Sequence, residues 1–475
     1  MPALNVWMNG DLVGTWSTRR GGTPTFRYER SWAESPHARA LSLSLPMTTD
    51  REVLGPVVDH YFDNLLPDNL DIRRRLSTRF GLDSIEPFDL LEAIGRDCVG
   101  AVQLLPQDQS PVGWNRVQAT ALSELDVERA LRAVTQPPPL GHRSIDADDE
   151  FRISITGAQE KTALLSMGGQ WYRPQHATPT THILKLPLGI VGNFRGDFSH
   201  SVENEWFCAR LLQAFGLPVA ETQMANFGEQ KVLVVTRFDR RWFGVDAQAV
   251  AARGFTPPPE AWIARLPQED FCQATGRSPL QRYEAEGGPS MAEILWTLAG
   301  SEHADIDRAD FALAQLAFWL LAATDGHGKN FSLHHRAGGF YSLTPLYDVL
   351  SAWPMIGSGP NQLPLQDAKL ALAVTGHNRH YKLVEIQARH WQALALRVGG
   401  APLWQRMRTL VESVDAALER VCGQVPPGFP AVVRRYLERS LPPGAAPVRM
   451  ATLRQEGTFQ MGDGEAGWRR FHATQ

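Results

Sequence analysis

Ala323-Thr324-Asp325-Gly326-His327-Gly328-Lys329-Asn330-Phe331-Ser332 is the stretch on which the fold turns. An apolar run, Phe311 to Ala323, leads into it, and a short strand-like run follows it. The polar residues therefore sit in a loop held at both ends by regular structure, where reacting groups commonly lie. A polar, glycine-containing turn whose Asp and Asn bond their own backbone would have the same composition.

Asp325 and Asn330 are five residues apart, the separation of the Asp-x-x-x-x-Asn catalytic loop of protein kinases. The reason is mechanical. The carboxylate takes or orients the proton of an attacking hydroxyl, while the amide oxygen reaches round the turn to Mg²⁺. Lys329, between them, is placed to touch a transferred phosphate.

Downstream, Leu343-Thr344-Pro345-Leu346-Tyr347-Asp348-Val349 follows the strand-like Phe340 to Ser342. A kinase carries a second metal-binding Asp across such a hairpin, and Asp348 fits that place, although Phe-Gly does not follow it. A turn or N-cap aspartate would look the same. Two carboxylates converging on a triphosphate repel by roughly 4 kcal/mol per close pair at an effective dielectric near 20. Such a site implies a divalent cation, and oxygen-only ligands with phosphate favour Mg²⁺ over zinc.

Upstream, Phe151 to Ala163 places Gly157 between two strand-like runs, so that backbone N–H groups can meet phosphate oxygens. It is neither G-x-x-x-x-G-K-[ST] nor G-x-G-x-x-G, and a plain hairpin turn reads the same way. Lys185, inside the apolar strand-like Thr181 to Leu186, needs a phosphate or a carboxylate to offset its burial. Glu203 and Glu205 on the next helix-like segment are the carboxylate candidates, and an edge-strand lysine reaching solvent is the plainer reading.

Around these pieces the chain has a consistent outline. Asn9-Gly10 between Leu4–Met8 and Leu12–Trp16 reads as a hairpin. A helical stretch is expected over 59–79 and a strand over 100–105. Pro137-Pro138-Pro139 reads as a connection. Short strands over 151–155, 162–165, 181–186, 222–226 and 231–236 surround a helix over 204–215, with Gly216 as its C-cap. After residue 240 long apolar-periodic stretches follow, over 291–298, 310–323 and 390–421. His334-His335 reads as a surface turn. Strands first and helices second, with a hinge at Thr236-Arg237-Phe238, predict an α+β, two-lobed protein-kinase-like fold with a mixed N-terminal subdomain and a mainly helical C-terminal lobe. The expected units are 1–135, 136–238 and 239–441, with a disordered tail over 442–475.

Composition excludes several classes. With a net charge of -4, the chain lacks the large basic face that binds nucleic acid alone. Four dispersed cysteines form neither a zinc ribbon nor a disulfide framework and suit a reducing cytoplasm. No apolar stretch is long enough to span a bilayer, and no signal peptide is visible. Gly462 to Gly467 matches G-x-G-x-x-G without a preceding strand and is set aside. H-E-x-x-H and G-x-S-x-G are lacking.

Ser-Ile-Thr-Gly-Ala-Gln-Glu-Lys-Thr-Ala (154–163), Thr-His-Ile-Leu-Lys-Leu-Pro (181–187), Arg-Phe-Asp-Arg-Arg-Trp (237–242), Leu-Pro-Gln-Glu-Asp (266–270) and the 323–332 loop resemble HipA-type serine/threonine-protein kinases. So do Leu-Ser-Leu-Ser-Leu-Pro (41–46), Tyr-Phe-Asp-Asn-Leu-Leu-Pro-Asp (61–68) and Ile-Gly-Arg-Asp-Cys-Val-Gly-Ala-Val (94–102). The similarity runs in order over about residues 1–440.

The resemblance implies ATP and Mg²⁺ as cofactors and Asp325 as catalytic base. Asn330 and Asp348 would be metal ligands and Lys185 the phosphate-pairing lysine. Thr156, Gly157, Ala158, Gln159, Glu160 and Lys161 would form the phosphate loop. Thr236, Arg237 and Phe238 would meet adenine, with His327, Gly328, Lys329 and Tyr347 also lining the nucleotide. The family's autophosphorylated, self-inactivating serine falls on Ser154, where a phosphate would add about -1.5 to -2 charge beside ATP.

It further implies a toxin that partners a helix-turn-helix antitoxin of HipB type and acts with it as corepressor. The protein target would be an aminoacyl-tRNA synthetase such as the glutamyl enzyme, stalling translation and favouring dormant, persistent cells. Thr236 stands where the family has a glutamate. The family's DNA-touching stretch falls at 396–399, where only Arg397 is basic, so operator DNA is expected mainly through the antitoxin. A catalytically weak corepressor and a small-molecule kinase are the alternative readings.

Overall fold

Asn9 and Gly10 take positive φ angles of 49° and 90°, and so close the hairpin between the strands Ala3–Met8 and Asp11–Ser17. Alternate residues of the first strand, Leu4, Val6 and Met8, point inward, as period-2 burial requires. In the computed structural model, which describes residues 2–18, 22–135, 157, 159–191 and 196–434, this hairpin seeds an antiparallel five-stranded sheet. Its order is Glu52–Leu54, Thr25–Tyr28, Asp11–Ser17, Ala3–Met8 and Gln103–Pro106. Trp16 stacks on Phe62 at 4.2 Å between ring centres, joining the sheet to the helix Pro56–Asp63.

The helical stretch expected over 59–79 is two helices, Pro56–Asp63 and Leu70–Phe80. Pro67 lacks the N–H that a continuous helix would use, and Asn69 starts the second helix by accepting from the N–H of Asp71. The turn between them becomes important at the site. The strand expected over 100–105 lies at Gln103–Pro106.

A second, six-stranded sheet runs Thr222–Phe227, Gln230–Thr236, His182–Lys185, Lys161–Met167, Gln170–Pro174 and Ala119–Leu122. Alternation on the strand Gln230–Thr236 sends Val232 and Val234 toward the helix Glu124–Thr135 and Leu233 and Val235 toward the helix Ser201–Ala214. Gly216, at φ 82°, follows the second of these helices.

The largest core belongs to the helical region. There Met291–Leu298, Ala304–Leu321, Ala388–Val398, Gly400–Glu412 and Val414–Cys422 pack together. Ser290 and Glu293 form a capping box that starts the first of these helices. Ala304–Leu321 is buried along most of its length and ends on Ala322, whose φ of 50° turns the chain sharply into the 323–332 loop. The expected surface turn at His334-His335 is instead part of the strand Ser332–His335. His335 is buried there because its Nε2 meets Glu269 Oε1 at 2.7 Å.

Ser154, Thr156 and Ala158, the expected strand over 151–155, the Pro137–Pro139 connection and the tail from 442 lie outside the described residues. Among the described residues, no helix is long and apolar enough to cross a membrane.

Candidate functional site

The cleft between the six-stranded sheet and the helical region is lined by Lys161, Lys185, Thr236, Arg237, Phe238, Asp325, His327, Lys329, Asn330, Tyr347 and Asp348, together with Gly157 and residues of the N-terminal unit. Residues far apart in sequence thus share one cavity.

Lys185 is fixed by strand register, which sets it directly across from Lys161 on the neighbouring strand. Its Nζ is 2.6 and 2.8 Å from the two oxygens of Glu205 and 2.6 Å from Oδ1 of Asp348. Glu203, the other carboxylate candidate, accepts from Lys231 instead. Burial acts to lower the Lys185 pKa, but Asp348 and Glu205 outweigh it and hold the ammonium charged. Asp348 responds in kind, since burial is outweighed by Lys185 and Lys161 and its pKa drops to about 2. For Glu205 burial wins over Lys185, and its pKa rises to about 7. Lys161 and Lys185 thus face Asp348 and Glu205 in one buried cluster. Lys161 is pushed down, first by burial.

Asp348 sits at φ 59°, in the left-handed region that Asp tolerates better than most residues. The Asn330 amide donates to its carbonyl at 3.3 Å. The Tyr347 hydroxyl donates to the Lys329 carbonyl at 2.8 Å and lies 2.5 Å from the Ser332 hydroxyl. These bonds splice the 323–332 loop to the 343–349 segment. Asn330 and Asp348 offer oxygen donors on one wall. Among the described residues, no group of three or more His, Cys, Asp or Glu could hold a metal ion by itself. The donor set therefore fits a hard cation whose coordination is completed by phosphate oxygens and water.

Asp325 is the most exposed member, its side chain 64% accessible, and it accepts a hydrogen bond from the Tyr283 hydroxyl. His327 is buried, and burial lowers its pKa, keeping the imidazole neutral.

Several expected nucleotide contacts are engaged elsewhere. Lys329 Nζ lies 3.0 Å from Asp68 Oδ1 and 3.0 Å from both oxygens of Asn64. The Gln159 amide donates to the Leu186 carbonyl, and Glu160 pairs with Arg75. The Arg237 guanidinium is buried against Asp239 and Asp97. The Thr236 N–H donates to Glu221 and the Arg237 N–H to Thr181, each at 2.9 Å. Phe238 stands edge-on to His334, with 5.5 Å between ring centres, and 5.7 Å from Tyr347, and gives the cleft an aromatic wall.

Asn64, Asp68, Asp97, Arg282 and Tyr283 were not singled out from sequence. Asn64, Asp68 and Asp97 lie within motifs quoted above, and a polar residue beside apolar neighbours was the available signal. For Arg282 and Tyr283, in a polar stretch without periodicity, there was none.

The HipA-like C-terminal domain family matches residues 153–425 and the HipA N-terminal domain family residues 4–105. Residues 421–475 match a family of unknown function. A Sinorhizobium fredii protein, Y4mE, named as a candidate kinase, is 33% identical over 432 residues, covering 88% of this chain and 91% of its own. The serine/threonine-protein kinase toxin HipA of Shewanella oneidensis is 27% identical over 68% of this chain and 69% of its own. In a solved complex of Shewanella oneidensis HipA, HipB and operator DNA, one chain matches 96% of this chain and 100% of its own, with a TM-score of 0.74 at 22% identity. Matched by both HipA families and by a relative one-third identical across most of its length, the chain belongs to the HipA-type serine/threonine-protein kinase toxin family.

Proposed function

We propose that the cleft binds Mg·ATP and transfers the γ-phosphate to a serine or threonine hydroxyl of a protein. The observation that carries this is the Lys185 ammonium bridging Glu205 and Asp348 in the same cavity as Asn330 and Asp325. In this reading Asp325 accepts the acceptor proton, Lys185 pairs the non-transferred phosphates, and Asn330 and Asp348 hold the metal. When bound, the metal neutralises charge on the phosphates. Gly157 and Lys161 belong to the phosphate loop with Thr156 and Ala158, and Phe238 with the Thr236–Arg237 backbone receives adenine. His327, Gly328 and Tyr347 support the nucleotide side.

The family membership supports the finer reading. The chain acts in the cytoplasm as a toxin held by a helix-turn-helix antitoxin of HipB type, and meets operator DNA mainly through that partner. Its target is an aminoacyl-tRNA synthetase such as the glutamyl enzyme, and phosphorylation of Ser154 switches it off. The N-terminal unit, the sheet-rich lobe and the helical lobe are its three working parts.

Asp325→Asn tests the assignment. ADP formation from Mg·ATP should fall by about 10²–10⁴-fold, with binding of a non-hydrolysable ATP analogue retained. An Asp325→Asn protein that turns over at the wild-type rate would refute it.

A further inference from the structure

Tyr283 lies between the short helical turns Pro279–Gln281 and Glu284–Glu286, beside Asp325. Its hydroxyl donates to Oδ1 of Asp325. The ring stands edge-on to His327 at 4.9 Å and 90°, and the Arg282 guanidinium lies 5.3 Å from its centre. The N–H of Gly328 donates to the Arg282 carbonyl at 3.0 Å. The 279–286 segment therefore grips the catalytic loop through both backbone and side chain.

An aspartate on a mostly exposed side chain is free to change rotamer, yet a general base works only when it faces the proton it takes. Among the described residues, the Tyr283 hydroxyl gives the one hydrogen bond to the Asp325 carboxylate. A carboxylate has two oxygens, so a donor on Oδ1 fixes the group while leaving Oδ2 for an incoming hydroxyl. Resting on the kinase reading above, we infer that Tyr283 is a positioning residue for phosphoryl transfer, aiming Oδ2 of Asp325 at the acceptor hydroxyl. Burial and the adjacent Asp325 raise the Tyr283 pKa above its ordinary value, so the phenol keeps its own proton. The acceptor proton passes to Oδ2 as its oxygen takes the γ-phosphoryl group and ADP leaves.

The opposite reading makes Tyr283 a mimic of the acceptor that blocks the base. The two differ in sign. The experiment measures ADP formation over a range of Mg·ATP concentrations by the full-length chain carrying Tyr283→Phe, Tyr283→Leu or Asp325→Asn. Tyr283→Phe should lower kcat by about tenfold to a hundredfold, with the KM for Mg·ATP, the Kd for AMP-PNP and the urea midpoint unchanged. Tyr283→Leu should be no slower than Tyr283→Phe, because the hydroxyl, not the ring, carries the effect. Wild-type or faster turnover by Tyr283→Phe overturns the proposal, as does a loss that first appears in Tyr283→Leu. If Asp325→Asn is inactive in that same series, the kinase reading survives the failure. Full turnover by Asp325→Asn would instead remove the base assignment, and this proposal with it.

Discussion

The carboxylate of Asp68 lies 3.0 Å from the ammonium of Lys329, with both side chains more than nine-tenths buried. The backbone N–H of the same Asp68 donates to the carbonyl of Gly157 at 3.3 Å. One residue of the N-terminal unit thus touches both the 323–332 loop and Gly157. Burial works against both charges. The pairing outweighs it, lowering the Asp68 pKa and raising that of Lys329.

Removing Asp68 alone leaves a buried ammonium with reduced compensation. Asp68→Ala should destabilise the protein by about 3–5 kcal/mol in urea titrations. Changing both partners, Asp68→Leu with Lys329→Met, should recover most of that loss, because an apolar pair replaces a buried ionic one. A single variant as stable as wild type would show that the pair contributes nothing to folding.

Asp97, Asp239, Arg237, Arg240 and Arg265 form a buried ionic junction. Asp97 lies 2.9 Å from Arg240, 3.1 Å from Arg265 and 3.4 Å from Arg237, while Asp239 pairs with Arg237 at 2.7 Å and Arg240 at 3.0 Å. Burial raises the Asp97 pKa, but Arg240, Arg265 and Arg237 outweigh it and hold the group well below the carboxylate range. Its contribution to stability is therefore complete above the unfolded value of about 3.9 and is lost as pH falls toward the depressed folded value. Asp97→Asn should cost about 3–5 kcal/mol at neutral pH, and less at pH 3. Urea midpoints at the two pH values check this, and equal deficits would contradict it.

Lys185→Met should reduce turnover by about 10²–10³-fold, the scale of losing one preorganised charge on a transition state. It also exposes an opposite pH trend. Burial pushes Glu205 up to about 7 even with Lys185 beside it, so the fold favours the protonated acid. Stability from that source is full below the unfolded value of about 4.3 and is lost as pH rises through 7. Between pH 6 and pH 8 the variant should lose more stability than wild type, since it lacks the neutralising ammonium. Parallel denaturation curves at the two pH values decide the point.

Gly157 has a φ of +110°, and a Cβ there would stand 2.5 Å from Nζ of Lys161. Gly157→Ala must therefore strain its backbone and displace that ammonium, at about 1–3 kcal/mol for the backbone alone. The Kd for AMP-PNP should rise by about tenfold, with little change in the unfolding of the helical lobe. Unchanged affinity would remove Gly157 from the nucleotide site.

The parts of this fold that were legible in the sequence rest on local chemistry. Asn9-Gly10 closes its hairpin, Gly216 follows its helix, and the helix Met291–Leu298 has the bounds its apolar period predicts. Lys185, Asp325, Asn330, Tyr347 and Asp348 meet in one cleft because each sits at the edge of a predictable element. The partners of those residues were not legible. Asp68 and Lys329, or Asp97 and Arg237, are joined by tertiary approach alone, and no spacing along the chain records which carboxylate faces which cation. Pro67 held a signal for the break within 59–79, and the apolar pattern on either side hid it. His335 reads as surface because its partner, Glu269, lies on another strand.

The buried junction at Asp97 also bears on how relatives can exchange parts. A chimaera taking its first hundred or so residues from another member would keep this junction only if that segment placed a carboxylate beneath Arg237, Arg240 and Arg265. Compatibility across that seam is a matter of charge count and fit, and the acidic residue and the guanidiniums must be inherited as a set.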